Sequence, residues 1–144
     1  MGEKLEALKP LSLLLLRVVM GAAFMAHGYP KLFEPSERHF QFFATLGFPA
    51  WAVSVAGLVE FFGGLLLIAG LFTRVAAFFL SGEMAVVFLR AHLPAALEKG
   101  GLLGFLGRSR DEYPLLLCVA SFLLLTLGAG ALSLDAVLFR KKKD

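Results

Sequence analysis

Seven side chains in this sequence have chemistry that does not match their surroundings: Arg17, His27, Lys31, Glu60, Glu83, Arg90 and His92 lie within or at the edges of long apolar runs. A charge inside a bilayer costs on the order of 3 kcal/mol on insertion scales, so it faces other helices, takes a partner and often marks a proton, ion or substrate path. An imidazole beside a carboxylate suits hydrogen bonding and proton exchange with a carbonyl, such as that of a quinone head group. Spacing groups several of the seven. At about 100° per helical residue, Arg17, His27 and Lys31 fall within an arc of about 80°, forming one polar stripe along the first run. Glu83 and Arg90, seven residues apart, share a face, and Glu60 is the only acid of its run. His92 points nearly opposite Glu83 in an ideal helix, and only distortion near Pro94 would bring it round.

The elements that position these groups follow from composition. The chain has 144 residues, 58% hydrophobic and 17% charged, with a mean hydropathy of +0.79. That argues against a soluble or disordered chain, since soluble domains carry about a quarter charged residues. Fourteen Lys and Arg against eleven Asp and Glu give +3, too dispersed an excess for nucleic-acid binding. Four runs, 11–29, 51–72, 75–97 and 113–137, reach the roughly 20 apolar residues that a helix needs to cross about 30 Å of hydrocarbon. Without water to satisfy the backbone, such runs must be helical. The fold class is therefore all-α: a single domain over 1–144, forming an antiparallel four-helix bundle in the membrane.

Only Thr73 and Arg74 separate the second and third runs, which predicts a tight hairpin, whereas 30–50 and 98–112 are longer, polar connections. Lys4, Lys9, Arg74 and the tail Arg140, Lys141, Lys142 and Lys143 share one side; Lys31, Arg38, Lys99, Arg108 and Arg110 share the other. The clustered tail puts both termini in the cytoplasm and meets anionic lipid. Lys4 and Lys9 before an apolar run imitate a signal sequence, but Arg17 inside that run argues for a retained span. At about 1.5 Å per residue from the cytoplasmic side, Arg17 lies about 9 Å deep, Glu83 about 12 Å, Glu60 about 18 Å and Arg90 about 22 Å. Two acids and two bases then share the middle, with Arg17 and Glu60 as the expected buried pair.

The competing reading makes these charges interhelical ion pairs that fix register and nothing more. Gly57, Gly63, Gly64, Gly70, Gly128 and Gly130 read as packing positions. Cys118, the single cysteine, has no base in its span and reads as an inert thiol. One cysteine and three histidines give little material for a metal centre, and none is expected; haem between His27 and His92 is disfavoured by the direction of His92. The stretch with Glu37, Arg38, His39, Phe40, Phe42 and Phe43 reads as an amphipathic segment at the interface, or a lid over a lateral ligand entrance.

The stretches LLLLRVVMGAAFMAHGYPKLF (13–33), GLVEFFGGLLLIAGLFTRVAAF (57–78) and GAGALSLD (128–135) resemble the DoxX family of small prokaryotic membrane proteins. Arg17, His27, Lys31 and Glu60 match the family's polar positions in the first two helices, and Arg74 its basic residue at the hairpin. Where relatives have Arg and an aromatic before Ser-Leu-Asp, this chain has Ala131 and Leu132, so no role is assigned to that corner. The resemblance implies a four-helix membrane bundle, and some relatives are similar to the quinone-reducing membrane subunit of thiosulfate oxidation. The resulting expectation is a subunit of a quinone-linked oxidoreductase of the thiosulfate:quinone type in a prokaryotic inner membrane. Arg17, Glu60, Glu83, Arg90 and His92 supply its buried cluster, while His27 and Lys31 orient and protonate the quinone. With no cysteine set for an iron–sulfur cluster and no flavin fingerprint, electrons come from a partner protein in a homo- or hetero-oligomer. The alternatives are a non-enzymatic assembly factor or scaffold for a client membrane protein, and a proton or solute path along the charged cluster.

Overall fold

The computed structural model describes residues 2–98 and 112–139, with the side chains of residues 3, 4 and 96 excepted. The loop charges Lys99, Arg108 and Arg110 and the tail from Arg140 onward lie outside the described residues, as do the side chain of Lys4 and most of the expected connection 98–112.

Among the described residues the secondary structure is helical throughout. A short α1 (Gly2–Glu6) precedes α2 (Lys9–Phe33), which is followed by α3 (Glu37–Thr45), α4 (Trp51–Ala69) and α5 (Thr73–Val87). A π-helical turn (Phe88–His92) joins α5 to α6 (Leu93–Glu98), and α7 (Tyr113–Leu127) and α8 (Leu134–Leu138) are the last helices of the described residues. Among the described residues three helical stretches are long and apolar enough to cross a membrane: Lys9–Phe33, Trp51–Ala69 and Thr73–Ala95. Their outward faces carry large apolar groups, with Phe62, Phe78 and Phe79 exposed, as is Phe122 on α7. Such a surface is at home in lipid rather than water.

The fourth expected span is shorter than predicted. Helix α7 ends at Leu127, giving 15 residues, or about 22 Å. Gly128, with φ +79° and ψ −168°, takes the chain out of helical geometry, and Gly130 also has positive φ. These two glycines redirect the backbone, Gly130 also packing against α2, where a Cβ on it would lie 2.9 Å from Leu13 Cδ1, and α8 is a separate element. The hairpin is also displaced from its expected position. The break is Gly70–Phe72, while Thr73 and Arg74 already lie in the first turn of α5. Gly70 caps α4 in the left-handed region at φ +65°, so it too is a turn glycine.

Close approach occurs between α2 and α4. A Cβ on Gly21 would lie 2.5 Å from the Gly64 carbonyl oxygen, and one on Gly28 would lie 2.8 Å from that of Gly57. As one index rises by seven the other falls by seven, so these two helices run in opposite directions. Helix α5 packs along α7, and α4 reaches α5 through the turn. Phe24, Leu67, Leu80 and Leu124, contributed by four different helices, are fully buried where the elements meet.

Candidate functional site

The polar residues form two separate centres. Arg17 and Lys31, fourteen residues apart on α2, are separated by about 21 Å along the axis. Arg17 is 1% exposed and Glu60 2%, yet they do not pair. The expected Arg17–Glu60 ion pair is replaced by hydrogen bonds from Arg17 to main-chain carbonyls and by an ion pair between Glu60 and Lys31.

Arg17 serves the broken end of the last apolar segment. Its Nη1 donates to the Ala129 carbonyl at 2.7 Å and its Nη2 to the Leu132 carbonyl at 2.5 Å. Nε has no hydrogen-bond partner. Leaving the helix at Gly128 frees carbonyls that lipid cannot satisfy, and Arg17 satisfies them. Asp135 completes the corner. Its backbone N–H donates to the Gly70 carbonyl at 2.8 Å, while Oδ1 accepts from the Phe72 N–H at 2.7 Å and Oδ2 from the Thr73 N–H at 3.0 Å. Phe72 holds φ +47°, a conformation that disfavours L side chains, and Asp135 fixes it while capping α5. Ser133 caps α8 by accepting from the Ala136 N–H. The Ser-Leu-Asp corner therefore has a structural role, and main-chain carbonyls supply the Arg17 acceptors whatever side chains stand at 131 and 132.

The second centre gathers His27, Lys31, Glu60 and His92. Lys31 Nζ donates to both carboxylate oxygens of Glu60 at 2.7 Å, with side chains 17% and 2% exposed. Sequence placed Lys31 beyond the first span, but α2 continues through Pro30 to Phe33. Gly28 makes the pair possible: a Cβ there would meet Glu60 Cβ at 2.8 Å, so its absence lets the acid approach α2 one turn below Lys31. Helical side chains lean toward the N-terminus, which brings the ammonium back to that level. All four residues line a cavity of about 180 Å³ whose other walls include Phe24, Phe43 and Met84. His27 Nδ1 lies 2.7 Å from the Ala23 carbonyl, so Nδ1 carries the hydrogen and Nε2 remains the ring's second polar atom.

His92 reaches the cavity through the π turn. Pro94 has no N–H for the Arg90 carbonyl, and upstream the Leu93 N–H bonds to the Phe88 carbonyl, five residues back. The extra residue in that turn rotates His92 by about 100°, from opposite Glu83 to about 80° away. The distortion that the sequence required is present.

Glu83 lies beside this centre and interacts electrostatically with both Glu60 and Lys31. Its Oε2 is buried and has no hydrogen-bond partner. It lines a second, apolar cleft of about 260 Å³ between α4 and α5, roofed by Phe43, Leu46 and Phe48. Arg90 is not part of the cluster. It is exposed, donates to the Leu46 carbonyl at 3.2 Å, and has its guanidinium 5.8 Å from the centre of the Phe48 ring. The expected Phe-rich segment is helix α3, with Phe43 buried, Phe42 on the cavity and Ser36 donating its N–H to His39 Nδ1 at 3.1 Å. Cys118 donates to the Ser81 carbonyl at the contact of α7 with α5.

Sequence reasoning missed Tyr113, whose ring lies 5.4 Å from that of His27 at the cavity wall. An interfacial tyrosine opening an apolar run at the level of an imidazole was the available signal. It also missed Gly21 and Gly28, whose partners were read without them.

Comparison with known proteins agrees with the residues. The DoxX family model matches residues 12–93, from the start of the first long helix to the end of the π turn. The chain belongs to the DoxX family. A Haemophilus influenzae protein named only as uncharacterized is 37% identical over 96% of this chain and 99% of its own. The Bacillus subtilis protein named "Putative oxidoreductase CatD" is 34% identical over 91% of this chain and 90% of its own. An uncharacterized membrane protein of Mycobacterium tuberculosis is 32% identical over 95% and 87% respectively. No solved structure matches the chain significantly. This DoxX chain is a membrane protein, and the polar centre around Lys31 and Glu60 lies on helices inside the matched region.

Proposed function

We propose that this DoxX protein is the membrane subunit of a quinone-linked redox system and that the quinone head group binds in the cavity of His27, Lys31, Glu60 and His92. The observation that supports the reading is the make-up of that cavity: an ammonium, a buried carboxylate and two imidazoles converge on about 180 Å³ of otherwise mostly apolar space. A quinone ring is flat and apolar on its faces and accepts hydrogen bonds at two carbonyl oxygens, which matches such a lining. Lys31 is the direct donor for a carbonyl oxygen, and His27 Nε2 and His92 are the groups able to pass protons at the wall.

In this reading the bundle has four antiparallel crossings, the last completed by α7 with the segment up to α8. Both termini face the cytoplasm of a prokaryotic cell, and the Lys31 end faces the outer leaflet. Electrons come from a donor protein, because a single cysteine cannot hold an iron–sulfur cluster. The oxidoreductase name of the Bacillus subtilis relative is in keeping with this.

Native mass spectrometry from mild detergent reads subunit number and retained quinone together. Retained quinone that is lost in both Glu60→Gln and His27→Ala, with helix content unchanged, is the expected result. Quinone retention and donor-driven quinone reduction unchanged in both variants would overturn it. A tightly held membrane-protein client with no quinone would favour the assembly-factor reading instead.

A further inference from the structure

The cleft between α4 and α5 is not used by the head-group cavity, although the two share the walls Phe43 and Val87. Its lining is apolar except for Glu83. Three of the lining side chains, Val55, Phe79 and Val86, are 50%, 56% and 41% exposed on the outer face of the bundle, so the cleft opens sideways onto the lipid-facing surface. Glu83 lines it, and its Oε2 is buried and unpartnered, which is rare because a buried polar atom without a partner loses its hydration with no return. The cleft thus offers apolar walls, a lateral mouth and a single carboxyl.

We infer that this cleft is a second binding site, for the hydroxyl-bearing, reduced form of the membrane-soluble ring compound whose head group the neighbouring cavity takes. The inference rests on the quinone reading for the identity of the ring and goes beyond it by assigning the reduced form to a separate site with Glu83 as its hydrogen-bonding residue. The chemistry of the two places differs. Around Lys31 a ligand meets an N–H donor, which suits a carbonyl oxygen. At Glu83 it meets a carboxyl oxygen with no donor of its own, which suits an O–H. An apolar tail would leave through the mouth between Val55 and Val86 into lipid, so the ligand need not enter water.

The test is equilibrium binding to the full chain in nanodiscs, using decyl hydroquinone, its dimethyl ether and decyl benzoquinone as probes. A hydrogen bond to a buried carboxyl is worth about ten-fold or more in affinity. The expected result is that decyl hydroquinone binds at least about ten-fold tighter than its dimethyl ether. Glu83→Leu removes that preference, Glu83→Gln keeps most of it, and Val86→Trp at the mouth weakens the hydroquinone. Decyl benzoquinone binding stays dependent on Glu60 and independent of Glu83. Quinone binding that is lost in Glu60→Gln, together with equal affinity for hydroquinone and ether, overturns the second site and leaves the cavity reading standing. Failure of all three probes to bind overturns both.

Discussion

Removing Lys31 and removing Glu60 do not cost the same, although the two form one ion pair. Lys31→Met leaves a carboxylate that is 2% exposed, at mid-helix on α4, with Glu83 as a like-charged neighbour. Stranding a buried charge costs about 3–5 kcal/mol. Glu60→Leu strands an ammonium that is 17% exposed, two residues from the end of α2, whose flexible stem can carry it to the interface. Snorkelling of that kind limits the cost to about 1–2 kcal/mol. The double substitution removes both charges from an apolar place and lies within about 1 kcal/mol of the parent, as buried pairs replaced by apolar groups commonly do. The coupling energy is then about 3 kcal/mol or more, with the larger single effect at Lys31. Reversible unfolding in mixed micelles titrated with a denaturing detergent, followed by helix content, measures all four corners of the cycle. Equal single costs that add in the double within about 0.5 kcal/mol would refute the buried pair.

Three further outcomes follow from particular contacts. Gly64→Leu places a side chain where even a Cβ would lie 2.5 Å from the Gly21 carbonyl oxygen, so α2 and α4 separate and folded protein is lost in detergent extraction. Asp135→Ala removes the acceptors of the Phe72 and Thr73 N–H groups and costs about 1–2 kcal/mol, seen as faster hydrogen exchange at those two amides. Pro94→Ala restores a donor for the Arg90 carbonyl and lets the π turn relax, turning His92 by about 100° away from the cavity. Chemical modification of His92 then rises while that of His27 does not change.

Much of the helical layout was legible because lipid imposes one rule on backbone and side chain together: long apolar runs become helices, and their ionisable groups turn inward. The first three spans are helical as that rule requires, and Arg17, Lys31, Glu60 and Glu83 turn inward, whereas Arg90 on the third is exposed. What failed was the pairing. Helical angle and depth placed Arg17 and Glu60 in one layer, but pairing depends on which partner lies closest across an interface. That was set by glycines whose contacts cannot be counted from a single helix. Gly28 admits Glu60 to Lys31, and Gly128 ends a helix that hydropathy alone carries on to Val137. Composition does not distinguish a glycine that packs from one that turns the chain. His92 was legible only as a condition, since a missing N–H at Pro94 shows that a helix must adjust without saying where the extra residue goes.

The separation of the two centres bears on how any function here is built. Arg17 spends two of its nitrogens on carbonyls freed by the break after α7, and the same break positions Asp135 against the α4–α5 turn. The Arg17 corner therefore ties the ends of α2, α4, α5 and α7 together at a distance of about 21 Å from Lys31. At the other end α2 and α4 meet through Gly28 and Gly57, and the π turn offsets the continuation of α5. A tied corner at one end and a cavity holding Lys31, Glu60 and the His92 of the π turn at the other is an arrangement that suits a binding site, because positioned groups require fixed supports. A substitution at Arg17 that lowers activity would thus be acting through the geometry of the whole bundle. A substitution at Glu60 or Glu83 that does so acts where the ligand would be.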